Sequence, residues 1–267
     1  REGKWEKKAY GKGVELGGKT LGVIGYGRIG QALGVMARAL GMHVIAYSRT
    51  RRPEVEQATG VAYVELDELL AKSDFISLHA PAADGGPIVT AETIARMKDG
   101  VVILNYARDL LVNDDDMAEA LKSGKVKKYI TDFPNAKTSA MEGVIATPHL
   151  GASTEESEDN CAVMAADELK DYLENGNIKN SVNYPACDMG ICQVAGRIGL
   201  LHANIPNMIG QITSILAAEG INIANMTNKS RDKYAYTLLD LEDPAKAEAV
   251  SHLEKINGMY KVRVIKG

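Results

Sequence analysis

A chain of 267 residues with 45% hydrophobic side chains is long enough for one large and one small domain, each with its own core. A net charge of −4 gives no electrostatic case for nucleic acid or an anionic membrane, and no apolar run reaches membrane-spanning length. Cys161, Cys187 and Cys192 are too few for a disulfide framework and not spaced as metal ligands, so a cytoplasmic protein with reduced thiols and no metal is expected.

The chain opens on Arg1 rather than Met, and Arg1 to Trp5 reads as the end of an amphipathic helix, so a preceding segment is expected. Residues 20–25 are a short apolar run ending in glycine, Ile29–Leu40 has helical apolar spacing, and His43–Tyr47 is a second apolar run. The alternation continues with helices over 66–72, 91–97 and 114–123 and strands over 75–79, 101–105, 129–132 and 144–146. This order predicts an α/β fold: a Rossmann-type, doubly wound, mostly parallel sheet with helices on both faces.

A capping box, Ser153 with Glu156, opens a long helix that should stop at Gly176. Residues 185–194, with Pro185, Cys187, Gly190 and Cys192, read as a linker. Beyond it come a strand at 198–204, a helix at 209–219, strands at 221–230 and 234–241, a helix at 244–256 and a strand at 260–265. That βαββαβ order predicts a ferredoxin-like small domain. The expected division is therefore 1–184, a linker over 185–194, and 195–267.

Gly25-Tyr26-Gly27-Arg28-Ile29-Gly30 sits between a predicted strand and helix, the context a dinucleotide fingerprint requires. Gly25 permits the tight turn, Gly27 lets backbone approach a pyrophosphate, and Gly30 lets helix and strand pack closely. NAD binding usually places a carboxylate at the end of the second strand. Here that place holds Ser48, followed by Arg49, Thr50, Arg51 and Arg52, which favours the 2′-phosphate of NADP(H) and leaves NAD(H) open. A solvated basic loop is the competing reading.

Two loops offer catalytic groups. Asn105-Tyr106-Ala107-Arg108 follows a buried strand, at the strand end where ligands bind in open α/β sheets, and Arg108 suits a carboxylate and a carbonyl. His149 lies in the Thr147-Pro-His149-Leu-Gly151-Ala-Ser153 loop, where an imidazole suits acid–base work or a structural hydrogen bond. His79 ends a strand beside the nucleotide turn; His43 and His252 read as surface or packing residues.

With Glu15-Leu-Gly-Gly-Lys-Thr-Leu-Gly22, Gly25–Gly30, His79-Ala80-Pro81, Asn105–Arg108 and Thr147–Thr154 in order, the chain resembles the D-isomer-specific 2-hydroxyacid dehydrogenases. It resembles most the phosphoglycerate-oxidising branch that carries a C-terminal ACT domain. The resemblance implies that Arg108 binds the substrate carboxylate and carbonyl, and that His149 exchanges a proton with the C2 oxygen as hydride moves. It adds His79, Ala80, Pro81, Tyr106, Ala107 and Gly151 to the residues around the cofactor. It also implies an amino-acid effector, serine, for which His202, Asn204, Asn222 and Ile223 are the candidates, in a homo-oligomer.

The chain departs from the family pattern in three places. Ala136 stands where the family has the glutamate that orients the histidine, so Asp132 either replaces it or holds the nicotinamide carboxamide. Asp109 follows Arg108 where glycine is usual. The Ser48–Arg52 segment resembles the NADP-using glyoxylate and hydroxypyruvate reductases. The expected activity is hydride transfer with D-3-phosphoglycerate or 3-phosphohydroxypyruvate in serine biosynthesis, under serine feedback. The alternatives are an NADPH-dependent glyoxylate or hydroxypyruvate reductase, and a non-catalytic piece that binds nucleotide and amino acid. The family's substrate domain is built largely from residues preceding this chain's start, so dinucleotide binding with little turnover is expected.

Overall fold

The structure, a computed structural model, describes residues 3, 11, 13–82 and 85–266. Of Arg1–Trp5, expected to be the end of a helix, only Gly3 is among them. Two compact units divide the chain at residues 150 and 151.

The first unit runs β1 (Thr20–Ile24), α1 (Arg28–Ala39), β2 (His43–Tyr47), α2 (Pro53–Thr59), β3 (Ala62–Tyr63), α3 (Leu66–Lys72) and β4 (Phe75–Leu78). It continues through α4 (Ala91–Ala95), β5 (Val101–Asn105), α5 (Asp114–Ser123), β6 (Val126–Thr131) and β7 (Val144–Ala146). The seven strands are parallel in the order β3-β2-β1-β4-β5-β6-β7, a Rossmann-type sheet whose direction of travel reverses between β1 and β4.

Both faces of this sheet are buried, which explains why β1 is an unbroken apolar run. Leu21 and Val23 pack with Ala37 of α1, while Ile24 packs with Leu69 and Leu70 of α3. The helix α2 and the two-residue β3 were not expected from the sequence. Pro53 occupies the first turn of α2, where a missing N–H costs nothing, and Gly60 ends that helix in the left-handed region.

Register fixes the geometry that matters for function. Ile24 lies beside Leu78, Leu78 beside Asn105, Asn105 beside Thr131, and Thr131 beside Ala146. The last residues of five neighbouring strands therefore form a row, and the loops that leave them share one rim.

The second unit holds α6 (Glu155–Asn175), β8 (Gly196–Ala203), α7 (Met208–Ala218), β9 (Ile223–Arg231), β10 (Tyr234–Leu241), α8 (Ala247–Glu254) and β11 (Met259–Lys266). From β8 onward the element order is βαββαβ, and the antiparallel sheet has the order β11-β8-β10-β9. Ile198, Leu200, Leu239 and Leu241 pack against α7 and α8, and Tyr236 and Leu238 pack with Ile178 and Cys187.

Two details differ from expectation. The side-chain cap of α6 is Thr154, whose oxygen accepts from the Ser157 N–H at 3.1 Å, and not Ser153. Residues 185–194 are fastened to this unit: Cys187 is buried, and the Arg197 guanidinium donates to the carbonyls of Gly190 and Asn175.

Candidate active site

The glycine turn leaves β1 at the point where the sheet reverses. Gly25 has φ +95°, and a β-carbon there would lie 2.5 Å from the backbone nitrogen of Ala80. A β-carbon on Gly30 would lie 2.5 Å from the Gly25 carbonyl oxygen, so the start of α1 sits directly on the turn. At Gly27, by contrast, a β-carbon would meet nothing within 4 Å. The three glycines therefore divide into two that pack and one that leaves space.

That space belongs to a cavity of about 740 Å³ at the rim, bounded by Gly25, Gly27, Ser48, Arg49, Thr50 and Arg52 on one side. His79, Ala80 and Pro81 bound it on another. Arg28 and Ile29 lie in the first turn of α1, and Ile29 is exposed.

Tyr26 also lines the cavity, although its side chain is turned into the core against Gly34 and Tyr63. Only its backbone serves the turn. Its N–H donates to Ser48 Oγ at 2.8 Å, and its carbonyl accepts from Gln31 Nε2 at 3.1 Å and Arg52 Nη2 at 3.4 Å. Ser48 is thus the brace of the glycine turn. Within the basic run Arg51 is committed to Glu65, at 2.5 Å, while Arg49 and Arg52 border the cavity. The His79 imidazole lies 2.9 Å from Ser77 Oγ, and burial holds its pKa below the usual value for histidine.

Further along the rim, two to four strand spacings or about 10–19 Å from β1, the ends of β5, β6 and β7 supply a second group of side chains. Buried Asn105 donates to the Arg108 carbonyl at 2.9 Å and accepts from the Ala107 N–H at 3.2 Å. It shapes the turn that presents Tyr106 and Arg108 to solvent. The Arg108 guanidinium donates to the Ala107 carbonyl at 2.6 Å and lies 5.2 Å from the centre of the Phe133 ring. The Asp109 carboxylate accepts from the neighbouring Leu110 N–H at 2.9 Å, at the start of a 3-10 turn.

Asp132 follows β6 and is buried. Its Oδ2 accepts from His149 Nδ1 at 2.9 Å. Its Oδ1 is also buried and has no hydrogen-bond partner among the described residues. With Nδ1 given to the carboxylate, His149 keeps Nε2 for proton exchange. Ala136 is exposed on a turn that Asn135 builds by accepting from the N–H groups of Lys137 and Thr138. The carboxylate at His149 is therefore Asp132. Phe133, not singled out from the sequence, packs on the imidazole with ring centroids 4.4 Å apart. Nothing in its spacing signals this. Gly151 begins the second unit, and a β-carbon there would meet nothing within 4 Å.

In the second unit His202 is buried, with Nδ1 2.9 Å from the Ala203 carbonyl and Nε2 2.8 Å from Thr237 Oγ1. Both ring nitrogens are engaged inside the sheet. Asn204 is exposed and donates to the Asp232 carbonyl at 3.1 Å, Asn222 is exposed, and Ile223 begins β9. The structure does not bring Asn204 and Asn222 together. Ala203 shares its end of the sheet with Arg231, and Ile223 shares the other with Gly196, about 27 Å away by strand rise.

Among the described residues no helix is long and apolar enough to cross a membrane, and no cluster of His, Cys, Asp or Glu could hold a metal ion.

Comparison with known proteins gives concordant matches. Residues 1–151 match the family described as "D-isomer specific 2-hydroxyacid dehydrogenase, NAD binding domain". The chain is 32% identical over 275 residues to the D-3-phosphoglycerate dehydrogenase of Haemophilus influenzae, covering 98% of this chain and 66% of that protein. It is 46% identical over 168 residues to the hydroxypyruvate reductase of Thermotoga maritima, covering 59% of this chain and 54% of that protein. Among solved structures, a glyoxylate reductase from Paecilomyes thermophila superposes with a TM-score of 0.58 at 35% identity, over 64% of this chain and 54% of that one. The chain thus spans between about half and two thirds of the length of these proteins.

Proposed function

The chain belongs to the D-isomer-specific 2-hydroxyacid dehydrogenase family, and from that premise we propose that it serves hydride transfer between a nicotinamide dinucleotide and a 2-hydroxy or 2-oxo acid. One observation carries this reading. The row of strand ends puts the open glycine turn at β1 and the His149–Asp132 pair with Arg108 at β5–β7 on the same rim.

The residues present fit a dinucleotide. Gly27 leaves room for a pyrophosphate beside the first turn of α1, and backbone N–H groups there favour an anion. The orphaned Asp132 Oδ1 fits an N–H donor such as a nicotinamide carboxamide. Bound there, a nicotinamide supplies the hydride or receives it. The chain's own residues do the rest. Arg108 holds the substrate carboxylate and polarises the carbonyl, and His149 Nε2 gives or takes the proton at the C2 oxygen. Asp132 fixes the imidazole and stabilises its charged form.

Ser48, Arg49 and Arg52 at the cavity favour NADP(H) over NAD(H), since among the described residues no carboxylate borders it. The match along 98% of the chain favours D-3-phosphoglycerate or 3-phosphohydroxypyruvate as substrate, with residues 195–267 as an ACT domain responding to serine. The basic loop and the 46% identity over 168 residues favour a second reading, glyoxylate or hydroxypyruvate reduction. Since Asn204 and Asn222 lie at opposite ends of one sheet, an effector touching both needs two copies, which supports a homo-oligomer.

Titration calorimetry with NADPH, NADH and serine tests this reading. NADPH should bind more tightly than NADH, and serine should bind. A chain that binds neither dinucleotide ends the reading.

A further inference from the structure

The chain has two phenylalanines, and they are used differently. Phe75 packs in an apolar cluster of the first unit, whereas Phe133 joins none of the apolar clusters among the described residues. Phe133 is half-buried at the rim, and its backbone is pinned by an N–H that donates to Thr131 Oγ1 at 3.1 Å. Its ring touches two groups at once: the Arg108 guanidinium, 5.2 Å from the ring centre, and the His149 imidazole, 4.4 Å between centroids.

Neither group is oriented firmly by other means. Arg108 is exposed, and its guanidinium hydrogen-bonds only one residue back, to the Ala107 carbonyl. The His149 side chain is 55% exposed, and Asp132 fixes one ring nitrogen but not the tilt of the ring. A guanidinium and a protonated imidazole repel each other, while an aromatic face attracts both.

Building on the reading of this rim as the reacting centre, we propose that Phe133 is a positioning residue that sets the spacing between the anion-binding Arg108 and the proton-transferring His149. The ring brings neither charge nor proton. It anchors each group on its π-system and stabilises the imidazolium, whose charged surroundings here are Asp132 and, beyond the ring, Arg108.

The test uses the whole chain and compares Phe133→Leu, which keeps the bulk and loses the aromatic face, with Phe133→Tyr, which keeps both. Side-chain NMR reads the Arg108 Nε–H shift and the titration of the His149 imidazole, with and without NADPH. In Phe133→Leu the Arg108 signal should lose its ring-current shift, and the proton affinity of His149 should fall about two- to fivefold. Phe133→Tyr should match the unmodified chain. The proposal is overturned if Phe133→Leu leaves both signals unchanged, or if Phe133→Tyr moves as far as Phe133→Leu. Should the leucine chain not fold, Phe133→Met takes its place with the same expected outcomes. These readouts need no bound dinucleotide, so they stand or fall apart from NADPH binding, on which the proposed activity depends.

Discussion

At Gly27 a side chain would enter open space, and the backbone, at φ −81° and ψ −161°, is one that any residue adopts. At Gly25 a side chain would need φ +95° and would collide with the Ala80 backbone. The two substitutions should therefore part company. Gly27→Val should leave the thermal midpoint within about 1 °C of the parent and weaken dinucleotide binding at least about tenfold, because it fills the space a pyrophosphate needs. Gly25→Val should lower stability by more than about 2 kcal/mol through backbone strain and collision. Differential scanning calorimetry with a binding titration separates them, and equal losses of stability would refute the division of roles. At this scale the fingerprint glycines were readable because their spacing carries their geometry. The pairing of His149 with Asp132 was one of two readings of that carboxylate, and deciding it needs β6 and β7 ending side by side. The burial of His202 was hidden, because a histidine inside a sheet and one at its end have the same sequence neighbourhood.

Among the elements, the joint between α6, residues 189–190 and the antiparallel sheet turns on one side chain. Arg197 is 1% exposed, and its guanidinium meets Asp240 on β10 through Nε at 2.5 Å and Nη2 at 2.9 Å, besides the carbonyls of Asn175 and Gly190. Removing one partner strands a buried charge. Arg197→Met should cost about 3–5 kcal/mol in urea unfolding, and Arg197→Met with Asp240→Leu should recover much of it. A single variant as stable as the parent would show the pair to be unimportant. Elements were legible where apolar spacing was strong, and α3 and α5 fall where that spacing puts them. The helix α2 was missed because its residues, PEVEQAT, form no apolar stripe and none of them is buried. The strand β6 begins at Val126 and not Tyr129 because exposed Lys127 and Lys128 interrupt its apolar pattern.

For the whole molecule, each unit holds a histidine that folding keeps neutral. Burial lowers the pKa of His79 in the first unit, and burial, opposed by the Ala203 carbonyl, lowers that of His202 in the second. Unfolding restores a value near 6.5, so the unfolded chain binds more protons below that pH and folding stability falls as pH drops through it. Asp74 and Asp171 act in the same direction lower down. Burial alone would raise both, but the Thr20 N–H and Lys98 for one, and Lys179 for the other, hold them below the usual carboxylate value. The urea midpoint should be lower at pH 5.5 than at pH 7.5, and His79→Gln with His202→Gln should flatten the difference; a midpoint that rises on acidification would contradict this. The alternation of strands and helices made the parallel sheet legible, whereas the rim it creates required the register. That register also assigns the two rims different duties. Reactive side chains crowd the edge where strands end, while on the opposite edge helices hand over to strands through turns such as Gly60 and Gly124, with left-handed backbones and no side chain to offer. New chemistry can thus be grafted by exchanging loops along one margin, with the architecture kept in trust by the other.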